Sequence, residues 1–236
     1  MENFTSTYGN SAADAAPADR AAFIRKTYTL LAAAILAFIA VEAGLFMTPA
    51  AGLIVYGVVK AGGIGWLAVL GLFMAVSYVA NKWAISDSSV GIQYLGLGVY
   101  ILAEAIIFVP LIFVATIYSG DSSVLIKAGV VSIGLFLGVT ATVFLTRTDF
   151  SFLGPILAIG GFAALGFIVA SILFGFNLGN LFAFAMVAFA GGAILYNTSN
   201  VLHRYNTNQH VAAALTLFAS IALLFWYVLR IFSSRR

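Results

Sequence analysis

The sequence predicts an all-α integral membrane protein, a bundle of seven transmembrane helices. Three observations predict it. Hydrophobic residues make up 63% of the 236 positions and charged residues only 8%, against about 25% charged in soluble domains. Mean hydropathy is +1.09. Seven apolar segments recur along the chain, each near the roughly 20 residues a helix needs to cross a hydrocarbon core of about 30 Å. Inside hydrocarbon the backbone must satisfy its own hydrogen bonds, so the segments are helices. A barrel would need alternating strands of about ten residues, and the sequence has none. This composition excludes a cytosolic enzyme and a disordered protein. The pI of about 9.2 reflects a surplus of three positive charges with no basic cluster, so nucleic acid is excluded as a partner. With no cysteine, disulfides, thiolate metal sites and thiol catalysis are excluded too.

Residues 1–22 are small and polar and lack the pattern of a cleavable signal peptide, so a disordered tail is expected there, with the seven-helix domain over 23–236. The predicted spans are 27–47, 64–81, 89–118, 123–146, 152–174, 178–199 and 211–232. Stretch 49–59 is too short to span; it extends the second helix or lies at the interface. The third segment is too long for an upright span, so it tilts, kinks at Pro110 or projects from the bilayer. The joints carry breaker residues, among them Gly62, Gly63, Gly120, Gly175 and Asn206. In the fourth joint, Asp149 or Ser151 is the expected N-cap of the fifth helix.

The basic residues give little orientation. With the N-terminus inside, six Lys/Arg fall inside and five outside. The residues flanking the first helix favour N-inside, and the basic C-terminal end opposes it. Gly134 and Gly138 form a GxxxG pattern that allows close helix approach, within the bundle first and between copies as the alternative, and Gly161, Gly166, Gly191 and Gly192 admit the same reading. Trp66, Trp83 and Tyr118 lie where interfacial aromatic belts sit, while Trp226 fits a belt or the interior.

Two carboxylates stand inside apolar segments, Glu42 and Glu104. A charge at the bilayer centre costs at least about 2.5–3.5 kcal/mol on insertion scales, so such groups face the bundle interior and mark candidate ion or proton paths. Glu104 lies near mid-depth; Glu42, five residues from its helix end, is within reach of the interface. A protonated acid hydrogen-bonded to a neighbouring helix is the structural alternative for both. Asn197, Thr198, Ser199 and Asn200 crowd the end of the sixth segment. They form a helix end bonded to its neighbours or the mouth of a polar path. His203 and His210 are spaced wrongly for one metal-binding turn, so no metal or cofactor is expected. HExxH, GxSxG, GxxxxGK[ST] and GxGxxG are all missing, and Ser220 with either histidine lacks a nucleophile context, so no enzyme is expected.

Four stretches in order resemble the Bax inhibitor-1, or transmembrane Bax inhibitor motif, family: FIRKTYTLL (23–31), TRTDFSFLG (146–154), AILYNT (193–198) and ALTLFASIALLFWYVLRIF (214–232). The resemblance implies a bundle with the last helix central and six helices around it. It also implies a pH-sensitive calcium leak in which two aspartates share a proton, one ending helix six and one within helix seven, latched by a basic residue near the end of helix two. Two close carboxylates cannot both ionise cheaply, which makes such a pair a proton sensor. This chain departs at that centre: Asn197 and Ser220 stand at the aspartate positions, Leu223 at a family asparagine, and Lys82 at the latch. An Asn/Ser pair hydrogen-bonds but neither titrates near pH 7 nor brings charge to Ca²⁺. The expected function is therefore a calcium or cation leak with altered or lost pH gating, Glu104 being the mid-bilayer acid available to replace the pair. The alternative is a non-transporting interaction protein that modulates a membrane protease or a stress response. Small size, short loops and the lack of a targeting signal lead us to expect a bacterial inner membrane.

Overall fold

The computed structural model describes residues 11–85, 89–118 and 120–234. Seven helices follow one another: α1 (Pro17–Met47), α2 (Ala50–Ile85), α3 (Val90–Phe113, continued by a π-helical turn Val114–Tyr118), α4 (Ser123–Thr146), α5 (Leu153–Phe174), α6 (Gly179–His203) and α7 (His210–Ser233). Each is long and apolar enough to cross a membrane. Successive helices connect opposite ends of the bundle. Tyr94 Oη and His210 Nε2, 3.3 Å apart, place the starts of α3 and α7 at one end. The Ser234 hydroxyl donates to Asn180 Oδ1 at 2.6 Å and places the end of α7 beside the start of α6 at the other.

The last helix is central. The apolar window of α7 is 72% buried, against 50% for α3 and none of α5. Leu215, Leu217, Leu224 and Leu229 are at most 1% exposed. Around them runs an aromatic seam. Phe38 of α1 meets Phe108 and Phe218 edge-on, and Phe108 stacks on Phe225 and takes the edge of Trp226 at 4.9 Å. Trp226 therefore belongs to the interior. By contrast α5 buries only Ala164. It is an outer wall, apolar all round because lipid rather than water covers it.

Several expectations are corrected. The chain is already ordered at residue 11, and α1 begins at Pro17, a residue suited to a first helical turn. Ala12 is fully buried, its N–H donates to the Tyr205 carbonyl at 2.8 Å, and Ser11 bridges antiparallel to Asn206. The Arg20 guanidinium donates to the Leu202 carbonyl at 3.4 Å. Composition hides this because two residues of backbone pairing carry it. Residues 1–10 of the expected tail lie outside the described residues.

Stretch 49–59 does extend the second helix, with a break at Gly62. There φ is +61°, a left-handed value that glycine adopts without a Cβ penalty. The long third segment is explained by Pro110 within α3 and the π-helical turn beyond it. Neither Asp149 nor Ser151 caps α5, which starts at Leu153 without a side-chain cap. Asp149 Oδ1 instead accepts from the Ser151 N–H at 2.9 Å and from the Ser199 hydroxyl at 3.3 Å, while Ser199 accepts from the Phe150 N–H at 2.9 Å. The α4–α5 joint is thereby tied to α6. A Cβ added at Gly134 or Gly138 would meet open space, so the GxxxG pattern packs nothing within this chain. The close approach lies at Gly96, where a Cβ would sit 2.7 Å from the Ala80 carbonyl oxygen. That contact holds α2 against α3.

Candidate functional site

A cavity of about 890 Å³ runs beside α7, walled by α2, α3, α5 and α6. Its lining on α7 extends from Leu215 to Arg230. The fifteen steps between them rise roughly 22 Å at about 1.5 Å each, most of a hydrocarbon core of about 30 Å. At the Arg230 end the lining includes the exposed α5–α6 turn, Gly175, Phe176 and Asn177, so the cavity opens there. At the other end it stops. Val211, Ala212, Ala213 and Ala214 are at most 1% exposed, and the Tyr205 and Thr216 hydroxyls, 3.1 Å apart, join the α6–α7 turn to α7. Burial pushes the Tyr205 phenol above its ordinary value, so it stays neutral across the physiological range.

The carboxyl group and the Asn197–Ser220 pair sit in the closed half. Glu104 lines the cavity, is 6% exposed, and accepts from the Tyr100 hydroxyl at Oε1 over 2.9 Å. The two lie four residues apart on α3, so they share a helix face. Tyr100 is held in turn by an edge contact with Phe218. Opposite, the Asn197 amide donates to Ser220 Oγ at 2.8 Å and to the Thr216 carbonyl at 3.4 Å. The Ser220 hydroxyl donates to that same carbonyl at 2.9 Å. The arrangement is an uncharged hydrogen-bonded knot on α6 and α7, with one carboxyl across the same space. Among the described residues no group of three His, Cys, Asp or Glu is placed to hold a metal.

Of the five residues singled out from sequence, three line this cavity: Glu104, Asn197 and Ser220. Leu223 lines it as well. Lys82 does not; it is exposed, and its neighbour Asn81 takes the lining position. A helix turns about 100° per residue, so a one-residue error in a loose alignment changes the face. Glu42 does not line it either. It is 7% exposed within α1, and neither carboxylate oxygen has a hydrogen-bond partner. Sequence reasoning missed Tyr100, Asn81, Thr216 and Arg230. Tyr100 had a signal, its four-residue spacing from Glu104; Asn81, Thr216 and Arg230 had none, since a single polar residue near a helix end reads as a membrane boundary.

The fold and this cavity define a polytopic helical membrane protein with a buried carboxyl group in its cavity wall. The family profile described as "Inhibitor of apoptosis-promoting Bax1" matches residues 20–236. The chain belongs to the Bax inhibitor-1 family. It is 28% identical over 230 residues to the Golgi anti-apoptotic protein of Vaccinia virus (strain Lister), covering 95% of this chain and 90% of that one. It is 29% identical over 228 residues to Protein LIFEGUARD 4 of Arabidopsis thaliana, covering 92% and 86%. To Bax inhibitor 1 of Schizosaccharomyces pombe it is 30% identical over 118 residues, covering 47% and 42%.

Proposed function

We propose that this multi-pass membrane protein is a non-catalytic cation leak, calcium being the ion to test first, and that it acts in the inner membrane of a bacterium. The observation that carries the reading is the placement of Glu104, a mid-depth carboxyl facing the same cavity as the Asn197–Ser220 knot. A lone acid in a low-dielectric passage concentrates cations when ionised and stops doing so when protonated. Asn197 and Ser220 supply oxygen ligands without charge. The shut lower end makes this the resting form. Opening requires the Tyr205–Thr216 and Asn197–Ser220 contacts to separate.

The test is calcium flux in liposomes holding the purified protein at pH 6, 7 and 8. Wild type, Glu104→Gln and Asn197→Asp/Ser220→Asp are compared. Flux in wild type that Glu104→Gln reduces ten-fold or more supports the reading. No flux in wild type, with pH-dependent flux in the double variant, refutes it in favour of a scaffold without a working sensor. A second reading, an interaction protein modulating a membrane protease or stress response, is favoured by the uncharged Asn197–Ser220 pair. One relative is named an anti-apoptotic protein and another a Bax inhibitor, and neither is named a transporter.

A further inference from the structure

The cavity is divided along its length. The lower part holds Glu104, Tyr100, Asn197 and Ser220. Above the level of Ser220 the walls are mainly apolar, with Trp66 and Leu70 from α2, Phe108 from α3, Ile168 and Ile172 from α5, and Trp226 from α7; Ser171, Tyr227 and, at the mouth, Asn177 are the polar exceptions. At the open end stands Arg230, which also lines the space. Among the described residues no carboxylate pairs with its guanidinium. Ser220 and Arg230 are ten residues apart on α7, roughly 15 Å along the axis. Half of a hydrocarbon core of about 30 Å, the reach of one acyl chain, is also about 15 Å.

These features match one chemical class. We propose that the upper cavity binds a single-chain amphiphile with an anionic headgroup, its carboxylate on Arg230 and its chain between the aromatic walls toward Ser220. A guanidinium offers paired donors in a planar fork that suits a carboxylate. The same fixed positive charge opposes a bare cation entering from that end. The volume of about 890 Å³ falls in the range of about 300–1,000 Å³ typical of small-molecule sites. The wall on the lipid side is thin, because α5 buries only Ala164, so a chain has a short way in from the bilayer. An occupant would fill the space assigned above to the leak, so the inference rests on the same cavity but not on any flux.

The chain's tryptophans provide the assay. Of the three, Trp66 and Trp226 line the cavity and Trp83 does not. In a Trp83→Phe background, fluorescence is measured while a brominated long-chain fatty acid is added to the protein in micelles. Its methyl ester, with the same chain and no charge, is the control. The expected result is saturable quenching by the acid, with a midpoint at least about ten-fold lower than that of the ester. Arg230→Gln should raise the acid's midpoint by a similar factor, the loss of one charge-assisted contact. Ala219→Phe, which fills the cavity, should abolish saturable quenching while the helical circular dichroism is kept. Equal midpoints for acid and ester, an unchanged midpoint in Arg230→Gln, or no saturable quenching would overturn the proposal. Saturable quenching without calcium flux would remove the leak reading alone; flux without quenching would remove this one alone.

Discussion

Gly96→Ala tests the packing that builds the cavity. The added Cβ would lie 2.7 Å from the Ala80 carbonyl oxygen, 3.1 Å from Trp83 Cβ and 3.2 Å from the Ala84 N–H nitrogen. Two of these neighbours are helical backbone, which has no rotamer to change, so α2 and α3 must move apart. Overpacking of this kind costs about 1–3 kcal/mol, a shift of about 5- to 150-fold in the unfolding equilibrium. The control is Gly138→Ala. Its Cβ would meet open space, and alanine is the better helix former by about 1 kcal/mol. The assay is equilibrium unfolding in mixed micelles, followed by circular dichroism. Gly96→Ala should lower the unfolding free energy by the stated amount, and Gly138→Ala should leave it equal or raised. Displacing the end of α2 also shifts Asn81, so the cavity changes shape near its closed end. A Gly96→Ala protein as stable as wild type would refute the close-approach argument. Greater damage from Gly138→Ala would restore the GxxxG pattern as the packing site.

Two further outcomes follow from the site and its surroundings. Tyr100→Phe keeps the ring contact with Phe218 but removes the donor to Glu104 Oε1; it should cost about 1–3 kcal/mol in the same unfolding assay, the loss typical of a buried acceptor left unpaired. An unchanged value would mean that Glu104 is held by another group. In the α4–α5 joint, the Ser151 backbone N–H, helped by the side chains of Ser151 and Ser199 and by the Arg204 charge, holds the Asp149 carboxyl below its ordinary value. A depressed folded value means that the tether is fully present above the unfolded carboxylate range and lost as pH falls through the folded value. Amide exchange at Phe150 and Ser151, corrected for its intrinsic pH dependence, should therefore speed up in acid in wild type and show no such step in Asp149→Asn.

Much of the architecture was legible because hydrocarbon imposes a length rule on every span. The predicted limits of the fourth segment, 123–146, coincide with α4, Ser123–Thr146, and those of the fifth differ from α5 by one residue. The start of α1 was misplaced by ten residues. Arg20, Arg25 and Lys26 mark where the membrane begins, whereas a helix continues through water as long as its buried face does, here through Phe23 and Thr27. Within the site, Glu104 stood out by depth, and Asn197 and Ser220 by their order in a family pattern. The loose pattern at the end of α2 points to Lys82, whereas Asn81 takes the lining position.

The sequence by itself determined the number of spans, the helical class and the family. Length, hydropathy and an ordered set of short stretches are properties of one dimension. What only the tertiary structure decided is which polar residues meet. In a soluble helix an apolar stripe tells which face turns inward. Here lipid and core are equally apolar, so the sequence does not tell which way Glu42 or Glu104 turns. Helix rotation set by packing against α7 puts Glu104 in the cavity with Asn197, Ser220 and Arg230, and leaves Glu42 buried outside it with both oxygens unpartnered.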